Sequence, residues 1–342
     1  MIELYNEKLK VFRESFDYQW SQLMDALFFQ QEQFMSGNRL RPYIVFAGYL
    51  STKDISDVSS TNIDFVSKLS LSVEIIHKAS LILDDFFDHD PKRHGKITFH
   101  EEYGTNNTVM YSANLLSVSV RNLNDIILAL PDDSVLKAKG IDTIVATMYD
   151  MSLGELKELQ LHESSNRYDI NTIKDIISLE TSTILSNSLL LGYYSGNGQD
   201  LHIENTLKSI GYDCGYIFQV MNDMEPFCNP DMIRQHKGHL NTDNLYSNKN
   251  IVIALLYGLL SAKERKAIDS ITPSEEDKSS LLINYFNYYN VKQSFLREIN
   301  QLHENIKCQI KKLTSNGITN EWCEFFENCV DITVAECKKR IN

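Results

Sequence analysis

The sequence predicts an all-α protein. Proline (6) and glycine (14) are sparse in the 342 residues, and no proline occurs between Pro131 and Pro226. Within that stretch, apolar residues recur at spacings of three and four, as at Ile173, Ile176 and Ile177, which is the period of a helix. No alternating apolar run bounded by an Asn-Gly or Asp-Gly turn is visible, so little β-structure is expected.

Each predicted helix covers a stretch in which this period persists, and it ends at a break rich in proline, glycine or asparagine. The predicted helices span residues 2–34, 39–51, 60–86, 107–129, 134–162, 170–194, 201–225, 248–260, 275–290, 291–314 and 319–340. No internal repeat and no proline-, glycine- or serine-rich linker is visible. A single domain covering residues 1–342 is therefore expected, in which the C-terminal helices from 260 to 342 close the bundle.

Composition excludes several functional classes. The net charge is −13 and no basic stripe stands out, so nucleic acid is not expected as a partner. The clearest uncharged apolar run, Ile251–Ala262, has twelve residues, whereas a membrane-spanning helix needs about 20. The first residues are charged and do not resemble a secretory signal. The cysteines form no Cys-x-x-Cys pair and are interpreted as reduced thiols. A cytoplasmic protein without a transmembrane segment is predicted.

One segment, EIIHKASLILDDFFDHDPKRHG from Glu74 to Gly95, carries a helical pattern into a run of aspartates. Asp84 and Asp88 are four residues apart, so their carboxylates share one helix face, and His77 lies on that face two turns earlier. Paired carboxylates at a helix end suit Mg²⁺, and Arg93 could bind the outer oxygens of a diphosphate. Taken alone, the same pattern also fits a solvated acidic helix end, and His77 alone fits a histidine packed in the core.

This segment resembles the first aspartate-rich helix of the trans-polyprenyl diphosphate synthase family, which carries D-D-x-x-D, then R-R-G and a threonine. Further segments resemble other motifs of that family, and they occur in the family's order along the chain. In chain order they are Ser36 to Pro42 (G-G-K-x-x-R-P), Arg93-His94-Gly95 with Thr98 (R-R-G and threonine), Gly154 to Leu159 (G-Q-x-x-D-L), Glu180-Thr181 (K-T), Gly211 to Met224 (the second aspartate-rich helix) and Thr242 to Lys249 (G-x-D-L-x-x-G-K). These matches span about residues 36 to 255. The chain is similar to a diverged member of that family and resembles class I terpene synthases that derive from polyprenyl diphosphate synthases.

The resemblance implies an isoprenoid synthase type I helical bundle that ionises an allylic prenyl diphosphate with three Mg²⁺ ions. It implies these catalytic residues: Asp84, Asp85, Asp88 and Arg93. It implies these metal ligands: Asp84, Asp88, Asn222, Asp223 and Glu225. It implies these substrate-binding residues: Arg41, His77, Arg93, His94, Thr181, Gln219, Lys237 and Lys249. It also implies a homodimer formed through helices near residues 107–162.

Two departures from the family pattern lie on the acceptor side. In the elongating members, isopentenyl diphosphate is held by the Lys and Arg of G-G-K-x-x-R, by the histidine before the first motif and by the second Arg of R-R. Here those positions are Asn38, Arg41, His77 and His94. Two fixed cations are thus replaced by groups that are mostly neutral at pH 7, and a charge-assisted bond from each such cation to phosphate is worth about 1.5–3 kcal/mol.

The allylic side departs at three positions. Glu180 replaces a lysine that the family directs at the allylic diphosphate, so its carboxylate must bind metal or turn away. Asn222 replaces the first aspartate of the second motif, although its carbonyl oxygen can still bind Mg²⁺. Pro226 replaces the last acid of that motif, with Glu225 one residue early, and Pro226 is expected to end the helix.

The intact first motif, together with the altered isopentenyl site, favours a terpene synthase or cyclase that ionises one prenyl diphosphate and does not use isopentenyl diphosphate. The alternative is a prenyltransferase, which either elongates the chain or transfers the prenyl group to another acceptor. A second alternative, suggested by Glu180, Asn222 and Pro226, is a non-catalytic subunit of a heteromeric synthase. Ala79 and Ser80, which are small residues shortly before the first motif, imply a pocket deep enough for a long prenyl chain.

Overall fold

The computed structural model of the chain describes residues 2–27, 37–161, 169–231, 250–270 and 275–341. These residues are almost entirely helical, which confirms the all-α prediction. In chain order the elements are α1 (Ile2–Ala26), α2 (Leu40–Leu50), α3 (Ser60–Phe87), β1 (Lys92–Arg93), β2 (Lys96–Ile97), α4 (Phe99–Tyr103), α5 (Thr105–Leu128), α6 (Val135–Leu161), α7 (Ile170–Ile177), α8 (Thr183–Ser195), α9 (Leu201–Cys228), α10 (Ile251–Leu259), α11 (Ala262–Asp269), α12 (Glu275–Tyr288), α13 (Val291–Leu313) and α14 (Asn320–Arg340). None of the described helices is both long and apolar enough to span a bilayer.

Helix α3 lies at the centre of the first half of the chain. It begins at a capping box in which Ser59 and Asn62 satisfy each other's backbone N–H groups. Helices α1, α2 and α5 pack around it, and its buried residues therefore lie on several faces rather than along one stripe. Asp88 is its C-cap, so the aspartate-rich run forms the last turn of a helix that is fixed by the core.

Helix α8 is the corresponding buried helix of the second half, and α2, α6 and α9 pack against it. Two glycines allow α2 and α8 to touch backbone to backbone. A methyl group at Gly48 would lie 2.1 Å from the carbonyl oxygen of Leu189, and one at Gly192 would lie 1.9 Å from that of Val45. Because no side chain fits at either distance, this helix contact requires glycine on both sides.

A small hairpin follows α3. Strands β1 and β2 are antiparallel, and Arg93 pairs with Lys96. The two turn residues between them, His94 and Gly95, have φ values of 52° and 79°, which is the left-handed backbone that two-residue hairpin turns require. The hairpin brings Arg93 back to the C-terminal end of α3. The expectation of little β-structure is thus confirmed for the described ranges, which contain no other strands.

The predicted helix over 170–194 is helical throughout, but it is not one regular α-helix. A π-helical segment, Ser178–Ser182, separates α7 from α8. Such a segment inserts a residue into the helical turn and is often found at functional sites. Here it places the Cγ atom of Glu180 2.5 Å from where a Cβ atom of Gly154 would be. Apolar spacing could not reveal one inserted residue, because the apolar pattern continues on both sides of the segment.

The prediction that Pro226 ends its helix is also wrong, because α9 continues to Cys228. A proline removes only its own N–H from the hydrogen-bond ladder. Past the proline, the N–H of Asn229 bonds to the carbonyl of Glu225 at 2.8 Å. The last turn therefore closes around Pro226.

The remaining boundaries agree within a few residues, with two exceptions. Helix α1 ends at Ala26, and the rest of the predicted span lies mostly outside the described residues. Two short helices, α4 and α11, were not predicted. Helix α11 begins with a capping box of Ser261 and Glu264, a signal that was present in the sequence.

The last helix, α14, packs against helices from the N-terminal part of the chain and against α9. Trp322 of α14 is fully buried, and its indole N–H donates to the carbonyl of Ala47 in α2 at 2.9 Å. The ring of Phe325 stacks on Tyr5 of α1 with centroids 4.4 Å apart. Helix α14 also packs against α9, so it contacts the element that carries the second aspartate-rich segment.

Candidate active site

The last turn of α3 and the hairpin form a salt-bridged cluster. Arg93 donates from Nη2 to Asp84 Oδ2 and from Nε to Asp85 Oδ1, and both distances are 2.7 Å. The side chain of Asp85 is 5% exposed and that of Asp84 is 35% exposed. One guanidinium group therefore holds two adjacent carboxylates, one inside the protein and one facing outward.

The charges in this cluster depend on each other. Burial raises the pKa of Asp85 to about 7, although the Arg93 guanidinium opposes that rise. Burial also acts to lower the pKa of Arg93, but the carboxylates of Asp85 and Asp84 outweigh it and raise that pKa above its ordinary value. Arg93 therefore stays charged, and it is the partner that allows the buried Asp85 to ionise.

Asp84 and Asp88 are the carboxylates placed to hold a cation. Both are partly exposed, and the N–H of Asp88 donates to the carbonyl of Asp84 at 2.9 Å, so they occupy successive turns of one helix face. The chain beyond is braced, because Thr98 Oγ1 donates to the carbonyl of Asp90 at 2.7 Å. Two carboxylates on one face of a fixed helix end fit the donor preference of Mg²⁺.

Basic side chains gather around the middle of α3. We call this group the basic cluster, which consists of Arg39, Arg41, His77 and Lys78. Arg39 Nη1 donates to Glu74 Oε1 at 3.0 Å, and Lys78 Nζ lies 3.8 Å from the same oxygen. Burial first, and then the surrounding cations, hold the pKa of His77 well below its usual range. His77 is therefore a neutral imidazole at pH 7.

Burial opposes the positive charge of two members of the basic cluster, Arg41 and Lys78. Burial lowers the pKa of Arg41 to about 10, against the attraction of Glu74. Burial likewise lowers the pKa of Lys78 to about 8, again opposed by Glu74 and reinforced by Arg39, Arg41 and Arg93. The buried Nε of Arg41 has no hydrogen-bond partner among the described residues. An anion placed here would be stabilised by several cations at once.

Hydrogen bonds bring together three predicted residues of the second half. Thr181 Oγ1 donates to Gln219 Oε1 at 3.0 Å, and Gln219 Nε2 donates to Asp223 Oδ1 at 2.7 Å. Asp223 Oδ2 accepts the N–H of Ile251, the first residue of α10, at 2.9 Å. Asp223 is buried, so this chain of bonds fixes its carboxylate between α9 and α10.

Two predicted metal ligands flank Asp223 on α9, and both are partly exposed. Glu225 Oε2 lies 3.5 Å from Arg340 Nη1, an ion pair with the end of α14. Pro226 lacks the N–H that would bond to the carbonyl of Asn222, so that carbonyl loses its ordinary helical donor. Metal binding by Asn222 and Glu225 stays a prediction.

The other predicted positions are less informative. His94 is exposed at the tip of the hairpin turn. Lys237 and Lys249 lie outside the described residues. Glu180 is not isolated, because Glu155, Glu158 and Glu180 each bring one oxygen within 4.8 Å of the other two.

The sequence interpretation missed Lys78 and Glu74 as members of this region. Their spacing of four residues on a helix is that of an ion pair, and this was the available signal. It carried little weight because such pairs are common on exposed helix faces. Only the packing of α1 and α2 against α3 shows that the pair is buried.

Comparison with known proteins now identifies the family. The family model described as polyprenyl synthetase matches residues 27–288. The chain belongs to the polyprenyl synthetase family. Among its relatives in this family, a farnesyl diphosphate synthase of Buchnera aphidicola subsp. Acyrthosiphon pisum is 28% identical over 265 residues, which cover 76% of this chain and 86% of the relative. A mitochondrial geranylgeranyl pyrophosphate synthase 6 of Arabidopsis thaliana is 31% identical over 163 residues, covering 45% and 47%.

Solved structures of polyprenyl synthetases show the same fold. A geranylgeranyl pyrophosphate synthase from Corynebacterium glutamicum, complexed with isoprenyl diphosphate and magnesium, superposes with a TM-score of 0.75 at 18% identity and covers 99% of this chain and 98% of that one. A T. brucei farnesyl diphosphate synthase complexed with a bisphosphonate gives 0.77 at 14% identity, with 98% of each chain covered. The isoprenoid synthase helical bundle is thus confirmed. Membership of this family supports the prenyltransferase alternative better than the terpene synthase hypothesis.

Proposed function

We propose that this chain is a chain-elongating prenyl diphosphate synthase, which joins an allylic diphosphate to isopentenyl diphosphate. The names of its relatives, farnesyl and geranylgeranyl diphosphate synthases, support this reaction. One observation carries the proposal over a terpene synthase. Ionising a single diphosphate needs one anion site, yet the cations Arg39, Arg41 and Lys78 act on His77 in addition to Arg93.

The reaction exchanges one bond for another. The C–O bond of the allylic diphosphate breaks, and its electron pair leaves with pyrophosphate. The double bond of isopentenyl diphosphate attacks the allylic carbon, and the new C–C bond leaves a cation at the neighbouring carbon. Loss of a proton to the released pyrophosphate restores a double bond in the longer diphosphate.

The chain's own residues divide this work. Asp84 and Asp88 would hold Mg²⁺ at the end of α3, and the second-motif residues Asn222, Asp223 and Glu225 would hold it at the end of α9. When bound, Mg²⁺ neutralises charge on the leaving pyrophosphate. Arg93 orients Asp84 through its 2.7 Å bond. The number of ions predicted is three.

Product analysis tests the proposal. The purified chain is incubated with Mg²⁺ and geranyl, farnesyl or geranylgeranyl diphosphate, with and without isopentenyl diphosphate, and diphosphates and volatile products are separated by mass spectrometry. We expect longer diphosphates only when both substrates are present, and at least about a 10²-fold loss of rate in Asp84→Ala. Absence of pyrophosphate release from every substrate would instead indicate the non-catalytic subunit.

A terpene synthase remains the second candidate, on a specific observation. Asn38 bonds to the backbone of α2 and His94 is exposed at the hairpin turn, so two positions at which elongating members of the family carry a cation for isopentenyl diphosphate carry none here. A cyclase does not need that site. Hydrocarbon or alcohol formed without isopentenyl diphosphate would support this candidate and contradict elongation.

We also propose that the chain forms a homodimer. Large apolar side chains are exposed on α5 and α6. They include Val109, Met110, Leu128, Val145 and Tyr149. An interface that covered them would remove apolar surface from water. Light scattering coupled to gel filtration should give twice the chain mass of 39.4 kDa, and a concentration-independent monomer would exclude the dimer.

A further inference from the structure

Asn38 does not occupy the position of an anion ligand. Its side-chain oxygen accepts the N–H of Leu40 at 3.3 Å, and so caps the start of α2. Its carbonyl accepts a bond from Arg13 at 3.4 Å, and the residue is exposed. The side chain at the position of the family's lysine is therefore directed to the surface and to the backbone.

The ammonium group of another residue lies beneath this loop. Lys78 is 6% exposed, and its Nζ atom lies 3.6 Å from where a Cβ atom of Gly37 would be. Lys78 follows His77 on α3. A cation from the helix thus reaches the backbone next to Asn38 from inside the protein.

The charges facing Lys78 are mainly positive. They come from Glu74 on the same helix, Arg39 before α2, Arg41 in α2 and Arg93 on β1. Glu74 is already bonded to Arg39 at 3.0 Å. Arg41 brings a further charge, and its buried Nε has no hydrogen-bond partner among the described residues. Arg39 is also bonded to Asp17, and Arg93 is bonded to Asp84 and Asp85. The unbonded Nε of Arg41 is therefore the observation that points to a bound anion, whose charge Lys78 would share.

We propose that Lys78 binds the diphosphate of the acceptor together with Arg41 and His77, and so replaces the lysine that Asn38 lacks. The identity of the acceptor, isopentenyl diphosphate, rests on the proposed function. The presence of a metal-independent diphosphate site at Lys78 does not. Because side chains supply the positive charge, this site binds without Mg²⁺, unlike the site at Asp84 and Asp88.

Calorimetric binding of isopentenyl diphosphate in EDTA tests this without turnover. Lys78→Met should raise the Kd by about 10–100-fold, because one charge-assisted bond is removed. The matched control is Lys68→Met on the same helix, because Lys68 is 48% exposed and pairs only with Asp64 in the described structure, and it should leave Kd unchanged. Lys78→Arg keeps the charge and should stay within about threefold of the wild-type Kd.

The proposal would be overturned if folded Lys78→Met bound isopentenyl diphosphate with the same Kd as the wild type. It would also be overturned if the wild-type protein showed no binding in EDTA. If Lys78→Met does not fold, proton uptake by the wild type decides. Lys78 has a pKa of about 8, so binding at pH 9 must bring in a proton that is already present at pH 7. Calorimetry in two buffers of different ionisation enthalpy measures this uptake, and equal values at both pH values would reject the assignment. Failure of elongation alone, with Lys78-dependent binding intact, would reject only the proposed function.

Discussion

Arg93 compensates a carboxylate that is buried against its preference for water. The side chain of Asp85 is 5% exposed and bonded to Arg93 at 2.7 Å. Replacing Arg93 with Gln leaves that charge unpaired, and we expect a loss of about 3 kcal/mol in the free energy of unfolding at pH 8. Urea unfolding of Arg93→Gln measures it.

The pH dependence of that loss has a definite sign. The pKa of Asp85 is raised by burial to about 7 in the folded protein, from 3.8, so the folded chain holds the proton more tightly and protonation at pH 5 removes the need for a counter-charge. The loss in Arg93→Gln should therefore be smaller at pH 5 than at pH 8. Adding Asp85→Asn should recover most of it at pH 8. Additive losses in the double variant would mean that the two side chains do not act as a pair.

The lowered pKa of His77 leads to a second prediction, which concerns how the stability of the fold depends on pH. Burial and the neighbouring cations lower its folded pKa well below 6.5, so the unfolded chain takes up a proton that the folded chain refuses. Stability attributable to His77 is present above pH 6.5 and falls as the pH drops, by up to about 1.4 kcal/mol per pH unit. Thermal unfolding from pH 7.5 to 5 should be flatter in His77→Gln than in the wild type. Parallel stability curves for His77→Gln and the wild type would show that His77 is exposed to solvent in the folded protein and would contradict this prediction.

At the scale of elements, the backbone contact between α2 and α8 makes a sharp prediction. A methyl group at Gly192 would lie 1.9 Å from the carbonyl oxygen of Val45. Gly192→Ala must separate the helices, and we expect at least about 2 kcal/mol of destabilisation by urea unfolding. Gly258→Ala in α10 is the matched control, because nothing lies within 4 Å of its added methyl. It should be neutral or stabilise by up to about 1 kcal/mol. Equal effects would show that the helix contact is not rigid.

How far the elements were predictable depends on the range of the forces that form them. Helices followed from apolar spacing, and the position of Asp84 and Asp88 on one helix face followed from their spacing of four residues. The bonds of Arg93 to Asp84 and Asp85 were not predicted, because they form only when the hairpin turns Arg93 back to α3. The π segment Ser178–Ser182 was missed because periodicity does not register one inserted residue. Lys78 was missed because its burial depends on the packing of α1 and α2 on α3, which joins residues that are distant in sequence.

At the scale of the whole molecule, the two ends of the chain contribute to one core. The two tryptophans, Trp20 in α1 and Trp322 in α14, are both about 1% exposed or less. The described buried apolar residues from α1 to α14 form a single cluster. This arrangement fits the proposal of a single domain over residues 1–342, in which neither end can unfold without the other.

Each tryptophan can report on its own end of the chain. In Trp20→Phe, fluorescence follows Trp322, and in Trp322→Phe it follows Trp20, while far-UV circular dichroism follows all helices. If the chain is one cooperative unit, the fluorescence and dichroism transitions in urea should coincide within each variant. The variants need not share a midpoint, because Trp322→Phe also loses the 2.9 Å bond to Ala47. A fluorescence transition of Trp322 that precedes the loss of helix would show that α14 is a separate unit, and the single-domain proposal would fail.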